Sequence, residues 1–255
     1  WAWTFMSGLA LADDISGEVA LYDIDFNAAF RNEQIGNKFN SADEANSVWN
    51  YKAVKTIDEA LCGADFVVIS ILPGTFDEME SDVHVPEKYG IYQSVGDTVG
   101  PGGIVRAMRT LPMFEFIAEK IKDNCPEAWV INYTNPMTLC VKTLYSIFPQ
   151  IKAYGCCHEV FGTQRMLAHI VEEELGVKNV SRDDIKVNPV SVNHFTWLTE
   201  ARYKNIDLFD VYRKFCEKHP EGIISEKPTS GNWFDIASSH SSEKVKMDLF
   251  RRFGW

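Results

Sequence analysis

The sequence lacks the patterns that mark several large classes of protein. It has no apolar run of about 18 residues, so we expect no segment that crosses a bilayer. Lysine and arginine form no stripe and the net charge is −11, which argues against nucleic acid and against an anionic membrane surface as partners. The first residues show neither the basic segment nor the cleavage site of a secretory leader. With these classes excluded, we expect a globular protein whose partners are small molecules.

Cysteines are too few and too scattered for a disulfide scaffold. Six are spread over 255 residues, and none forms a Cys-x-x-Cys pair. We therefore expect reduced thiols and a cytoplasmic protein. The chain begins with Trp1 inside a helical pattern and ends just after another one, so we expect a longer polypeptide truncated at both ends.

Apolar runs alternate with helical patterns along the first half of the chain. The runs that predict strands lie at residues 18–25, 65–72, 128–133 and 151–156. This order predicts the α/β class, with a Rossmann-like, doubly wound parallel sheet in residues 1–155 and a buried strand at 18–25. A stretch rich in glycine, proline and acids at residues 73–103 predicts a long loop.

Residues 156–255 follow a different pattern. Strands are predicted at residues 185–194 and 199–203, and helices at residues 159–175, 207–219 and 233–253. This mixture indicates an α+β domain, which would bind the substrate and a metal.

The dinucleotide signal is incomplete. A Rossmann unit needs a Gly-rich turn, a helix, and a strand that ends in an acid able to bind a ribose 2′-hydroxyl. Asp23 supplies that acid and favours NAD over NADP, but no Gly-rich turn precedes it. An acid at a strand end also solvates a turn, and the residues alone leave that alternative open.

Cysteine and histidine occur at two predicted strand ends. Cys157 lies in GCCHEVFG and His194 in VNHFTWL. A thiolate and an imidazole would form a two-ligand site for a divalent cation, with coordination positions left for substrate hydroxyls and water. The alternative is a buried thiol and a histidine satisfied by its neighbours.

Two further segments carry polar groups that suit a ligand. In NYTNPM, Asn135 precedes a proline, so we expect it to be extended and to present its amide outward; the alternative is a helix that starts with Pro136 at its first position. In GDTVGPGGIVRAMR, Arg106 and Arg109 share a helix face and would meet a carboxylate or a phosphate, unless they are ordinary surface arginines.

Taken together, these segments resemble family 4 glycoside hydrolases. ALYDID, VVISILPG, YGIYQSVGDTVGPGG, INYTNPM, GCCHEVFGTQ and VNHFTW occur in the order typical of that family. The Cys-His-Glu-Val motif that begins at Cys157 resembles the α-galacturonidase group. The resemblance implies the lactate/malate dehydrogenase-like fold, NAD and Mn²⁺ or another divalent metal as cofactors, and a homodimer or homotetramer.

The resemblance also implies the reaction and the residue roles. An α-galacturonide from pectin would be oxidised at C3 by NAD, deprotonated at C2, cleaved by elimination and completed by water addition and hydride return. The catalytic base, a Tyr or Asp, would lie beyond residue 255. The implied roles are metal binding by Cys157 and His194; substrate binding by Asn135, His158, Glu159 and Asn193, with His158 also catalytic; and cofactor binding by Asp23, Leu72, Pro73, Asn132 and Asn135.

Three other functions fit the same residues less well. An NAD-dependent 2-hydroxy-acid dehydrogenase would need no metal, and a non-enzymatic sugar-binding protein would not need the Cys157–His194 pair. Within the family, an α-glucuronidase or an α-galactosidase differs only in the sugar.

Overall fold

The computed structural model of the chain describes residues 2–93, 97–223 and 243–254. It divides into two compact units, Trp1–Cys156 and Cys157–Trp255. Residues 94–96 of the loop predicted at residues 73–103, and residues 233–242 of the predicted last helix, lie outside the described residues. No described helix is both long and apolar enough to cross a bilayer.

The first unit alternates helices and parallel strands. Its strands are β1 (Gly17–Leu21), β2 (Trp49–Ala53), β3 (Phe66–Ile69), β4 (Trp129–Asn132) and β5 (Lys152–Gly155). Its helices are α1 (Ala2–Leu11), α2 (Phe26–Phe39), α3 (Ile57–Leu61), α4 (Phe76–His84), α5 (Gly100–Asn124) and α6 (Met137–Ile147). The predicted α/β class is confirmed.

The parallel strands form two sheets. Strand β1 pairs with β2, and β3, β4 and β5 pair in that order; among the described residues no ladder joins the two sheets. Strand β1 therefore has a neighbour on one side only, and Glu18 and Ala20 are exposed while Val19 and Leu21 are half-buried. The prediction of a buried strand at residues 18–25 is wrong, because that burial requires neighbours on both sides and covered faces.

The stretch at residues 73–103 is not a continuous loop. It contains α4 and a 3₁₀ turn, Val85–Tyr89. Thr75 begins α4 with a capping box: its hydroxyl accepts from a first-turn backbone N–H, and the Glu78 carboxylate accepts from the Thr75 N–H at 2.6 Å. Composition suggested a loop, but these two residues satisfy the free backbone donors that a helix start leaves.

The core of the first unit lies between α3, α5, α6 and the β3–β4–β5 sheet. Phe114, Ala118 and Ile121 line the buried face of α5 and pack with Val130 and Leu144, all fully buried. Gly155, at the end of β5, allows α6 to approach closely, because a Cβ there would lie 2.5 Å from the Met137 side chain. This packing holds the first turn of α6 against the carboxyl ends of the strands.

The second unit is a helix-covered antiparallel sheet. Its elements are α7 (Glu159–Leu175), β6 (Ile185–Val192), β7 (Phe195–Tyr203), β8 (Ile206–Asp207), α8 (Leu208–Lys218) and α9 (Lys244–Phe253). Strands β6 and β7 form a hairpin from Ile185↔Tyr203 to Val192↔Phe195, and β8 pairs with β7. The α+β prediction is confirmed, although β7 begins at Phe195 rather than at the predicted residue 199.

Candidate active and metal site

The turn after β4 is held by its own side chains. Asn132, fully buried, accepts a hydrogen bond from the Thr134 N–H with Oδ1 and donates from Nδ2 to the Thr134 carbonyl, both at 2.9 Å. The Thr134 hydroxyl accepts from the Ile71 N–H at 2.9 Å, which joins this turn to the segment after β3. Asn132 thus positions the strand end, and its contact with a cofactor stays a prediction.

Asn135 offers an unused acceptor in this turn. Its Oδ1 is buried and has no hydrogen-bond partner in the described part of the chain. The prediction that the amide faces outward is wrong for this oxygen, because the surrounding turn encloses it. Pro136 is the N-cap of α6 and Met137 its first residue, so the alternative with Pro136 at the first helical position is also wrong. A buried acceptor without a donor suits a ligand hydroxyl.

The neighbouring tyrosine is not suited to act as a base. A hydrogen bond with the Cys156 side chain and partial burial raise the pKa of Tyr133 to about 12. Tyr133 therefore keeps its proton at neutral pH.

Asp23 lies two residues beyond the end of β1, not at the last strand position as predicted. Its Oδ1 accepts from the Asp25 N–H at 2.9 Å, and Asp25 in turn caps α2. Asp23 therefore stabilises the turn through Oδ1, and its contact with a ribose stays a prediction. After β3, Leu72 is 39% exposed and Pro73 is buried, so of these two Leu72 has the accessible side chain.

Cys157 and His194 come together in the second unit. Cys157 lies just before α7, and His194 lies in the two-residue turn of the β6–β7 hairpin with a left-handed φ of 61°. Their Sγ and Nε2 atoms are 3.4 Å apart. Cys157 is half-buried and His194 exposed, so the alternative of a buried thiol is wrong.

This spacing fits two ligands of one cation. For Zn²⁺, taken as the reference divalent cation, metal–sulfur and metal–nitrogen bonds of about 2.3 and 2.0–2.1 Å with ligand angles of about 90–109° give a sulfur–nitrogen separation of about 3.1–3.6 Å. The observed 3.4 Å lies inside that range. Among the described residues no group of three or more Cys, His, Asp or Glu side chains surrounds one point.

Glu159 joins the two candidate ligands. Its backbone N–H, in the first turn of α7, donates to the Cys157 Sγ at 3.4 Å. Its Oε2 accepts from the Thr196 hydroxyl at 2.8 Å, two residues after His194. His158 is the exposed N-cap of α7, and Asn193 is half-buried beside His194. The substrate roles predicted for His158, Glu159 and Asn193 stay predictions.

The two arginines of α5 differ sharply. The Arg109 guanidinium forms a bidentate ion pair with the Asp82 carboxylate of α4. Arg106 is buried at 9% exposure and takes no part in any ion pair among the described residues. The alternative of two ordinary surface arginines is therefore wrong.

Sequence patterns missed the hydrogen-bond partners of two candidate residues, Glu159 and Arg109. Thr196 follows the Asn-His-Phe motif directly, as the fifth residue of VNHFT, and nothing in the sequence distinguishes its hydroxyl from that of any other strand threonine. Asp82, the partner of Arg109, lies 27 residues away from it in sequence. Within the first unit, Asn132 and Asn135 share one turn of the second sheet, whereas Asp23 follows a strand of the first sheet.

Known proteins match over the whole chain. The model described as family 4 glycosyl hydrolase matches residues 1–173, and that family's C-terminal domain model matches residues 190–255. The alpha-galacturonidase of Thermoanaerobacterium saccharolyticum is 61% identical over 255 residues, which is 100% of this chain and 54% of that protein. The chain therefore spans about half the length of the curated relatives it matches.

Solved structures agree with the family match. The crystal structure of a glucosidase named lplD from Bacillus subtilis superposes with a TM-score of 0.89 at 52% identity, over 100% of this chain and 57% of that one. A 6-phospho-alpha-glucosidase from gut microorganisms, in complex with NAD and Mn²⁺, gives a TM-score of 0.74 at 18% identity, over 98% and 54% of the two chains. That distant likeness confirms the predicted Rossmann-like fold. With both family models and a close relative matched, the chain belongs to family 4 of the glycosyl hydrolases.

Proposed function

We propose that the complete protein hydrolyses α-galacturonides, such as short pectin fragments, with NAD and a divalent cation. The main support is the 61% identity with an alpha-galacturonidase over the whole chain. The Cys157–His194 pair adds a site with the donor atoms and the spacing that a catalytic cation needs. A 2-hydroxy-acid dehydrogenase would have no use for this pair.

The chain's own side chains would share the work as follows. When bound, NAD would take up and return a hydride at the sugar C3, and Mn²⁺ would act as a Lewis acid on the sugar oxygens. Cys157 and His194 would hold the cation and leave positions for two sugar oxygens. Asn135 Oδ1 would accept a hydrogen bond from a sugar or ribose hydroxyl, since it has no other described donor.

The remaining site roles are proposals by family resemblance. Asp23, Leu72, Pro73 and Asn132 would face the cofactor, and His158, Glu159 and Asn193 the substrate. The six free cysteines suit a reducing compartment, which supports a cytoplasmic setting. A homodimer or homotetramer is proposed from the resemblance, and the mass of the purified protein in solution tests it.

The test is hydrolysis of digalacturonide by the complete gene product. After chelation, activity would be measured with and without NAD⁺ and with and without Mn²⁺. Galacturonate release only when both are present supports the proposal, whereas release without NAD⁺ contradicts it. Glucuronides and neutral glucosides belong in the same assay, because one similar structure is named a glucosidase. Activity on those sugars alone would keep the mechanism and change the substrate.

The Glu159–Thr196 hydrogen bond provides a second test. Replacing Thr196 with valine removes the hydroxyl that links the His194 turn to the start of α7. Groups that orient metal ligands contribute about 10- to 100-fold to metal affinity, and we expect a loss in that range for Mn²⁺. Isothermal titration calorimetry would measure this loss of affinity, with Mn²⁺ added to protein from which a chelator has first removed the metal.

Thr199→Val is the matched control. Thr199 lies on the same strand, and its hydroxyl bonds with Asn188, also across the hairpin but farther from the turn. We expect its Mn²⁺ affinity to equal that of the unchanged protein. Equal losses in the two variants would mean that general weakening of the hairpin, rather than ligand positioning, sets the affinity.

A further inference from the structure

Arg106 is a largely buried cation to which none of the described residues offers a counter-charge. It lies on the buried face of α5 with 9% of its surface exposed. No carboxylate, carbonyl or hydroxyl of the described residues bonds its guanidinium; its own carbonyl accepts from the Thr110 hydroxyl. Arg109, one turn further along α5, has Asp82 as its partner. The same helix thus carries one paired and one unpaired arginine.

Only 9% of the surface of Arg106 reaches water, and no described residue offers its guanidinium an anion. A guanidinium that is mostly removed from water without such a partner is costly to keep. Ionisable groups in unusual environments cluster at functional sites, and a ligand that supplies the missing anion would explain this one. The five N–H donors of arginine match two anionic oxygens in a planar, bidentate contact. Arg106 therefore has the chemistry of a receptor for a carboxylate or a phosphate.

Arg106 lies near the start of α6, at the edge of the sheet where the strands end. Its positive charge acts on the Cys140 thiol, opposing the burial that raises the pKa of Cys140 to about 12. Cys140 lies in the first turn of α6, and its N–H donates to the Pro136 carbonyl at 2.9 Å. That turn follows β4 and contains Asn135 with its unpartnered oxygen. In open α/β sheets, ligands bind at the carboxyl ends of the strands.

We propose that Arg106 binds the C6 carboxylate of the uronic acid and makes the site selective for uronides over neutral sugars. This inference rests on the proposed function. Asn135 then offers the acceptor for a sugar hydroxyl and Arg106 the donors for the carboxylate, which is the pair of recognition groups that a galacturonide needs. The other anion of the reaction mixture, a dinucleotide phosphate, is the competing source of the same contact.

The experiment compares an α-galacturonide with its neutral methyl ester, in the complete gene product. Arg106→Met removes the guanidinium, and we expect the ratio of kcat/KM for the acid to kcat/KM for the ester to fall by about 10- to 100-fold. Arg106→Lys, which keeps the charge but loses the planar fork, should give an intermediate ratio. Arg109→Met removes the same group from the same helix and should leave the ratio unchanged.

Stability of the ligand-free protein separates recognition from structural support. If Arg106 awaits a ligand, Arg106→Met should raise the Tm without substrate, whereas Arg109→Met should lower it by leaving Asp82 unpaired. A lower Tm for Arg106→Met would overturn the inference, as would an unchanged acid-to-ester ratio. A raised KM for NAD⁺ with both substrates would overturn it too, by assigning the anion to the cofactor.

A failure of the proposed function would look different. If the unchanged protein cleaved no galacturonide under any condition, the function would be wrong, while Arg106 would still be tested by thermal shift. Galacturonate, but not galactose, should raise the Tm of the unchanged protein, and Arg106→Met should abolish that difference. An equal response to both sugars in the unchanged protein would overturn the role of Arg106.

Discussion

Replacing Cys157 with serine is expected to lower kcat/KM on the galacturonide by about 10³-fold, because a Lewis-acid cation contributes several kcal/mol to a transition state. Serine offers a neutral hydroxyl where cysteine offers a thiolate, and only His194 would then remain of the pair 3.4 Å apart. Elemental analysis of the purified variant measures its bound Mn²⁺, and kinetics over a series of Mn²⁺ concentrations measure its activity. We expect the bound Mn²⁺ to fall along with the activity.

Cys156→Ser is the control for this prediction, because the preceding residue carries the same thiol. Cys156 belongs to the first unit and its side chain bonds with that of Tyr133. We expect Cys156→Ser to keep its Mn²⁺ content. If both serine variants lost the metal equally, the ligand assignment would be wrong and the strand end as a whole would be responsible.

Replacing Phe114 with alanine should produce the largest loss of stability. Its side chain is 0% exposed and lies in the core between α5, α6 and the β3–β4–β5 sheet. Phe→Ala changes at such positions cost about 3–5 kcal/mol, from lost burial and from the cavity that remains. Urea unfolding of the variant, followed by tryptophan fluorescence, should show this loss in the transition of the first unit, which contains Trp129 beside this core.

Phe116 offers a matched control two residues along the same helix. It is 47% exposed, and its ring contacts the Lys120 ammonium at 5.8 Å. We expect Phe116→Ala to cost about 0.5–1 kcal/mol, the range of an exposed cation–π contact. Comparable losses for Phe114→Ala and Phe116→Ala would contradict the assigned burial of the α5 face.

The main strands and helices could be predicted from local sequence, because the apolar patterns that indicate them lie within a few residues of one another. Apolar runs predicted β3, β4 and β5 to within three residues, and helical spacing predicted α7 at its observed bounds. The error at residues 73–103 was also local. Thr75 and Glu78 form the capping box that begins α4. A search of the sequence for that pattern would have predicted the start of the helix.

The candidate site was predictable in its parts. Cys157 and His194 were predicted as site residues because each lies at the end of a predicted strand. The resemblance to the family added metal binding as the role that they share. Their pairing crosses 37 residues, and only the folded hairpin and the start of α7 bring the two atoms to 3.4 Å. Thr196 had no signal of its own, because a threonine in a strand is ordinary.

The sequence by itself determined the class of this protein: alternating strands and helices, reduced cysteines, and motifs that indicate a family 4 glycosyl hydrolase. Only the tertiary structure decided which charged groups are satisfied. Arg106 and Arg109 have the same chemistry and the same helix face, so no local pattern separates them. The fold brings Asp82 to Arg109, whereas Arg106 is buried with no anion from the part of the chain that the structure describes. Local patterns could not show this difference, because desolvation and pairing depend on residues distant in sequence.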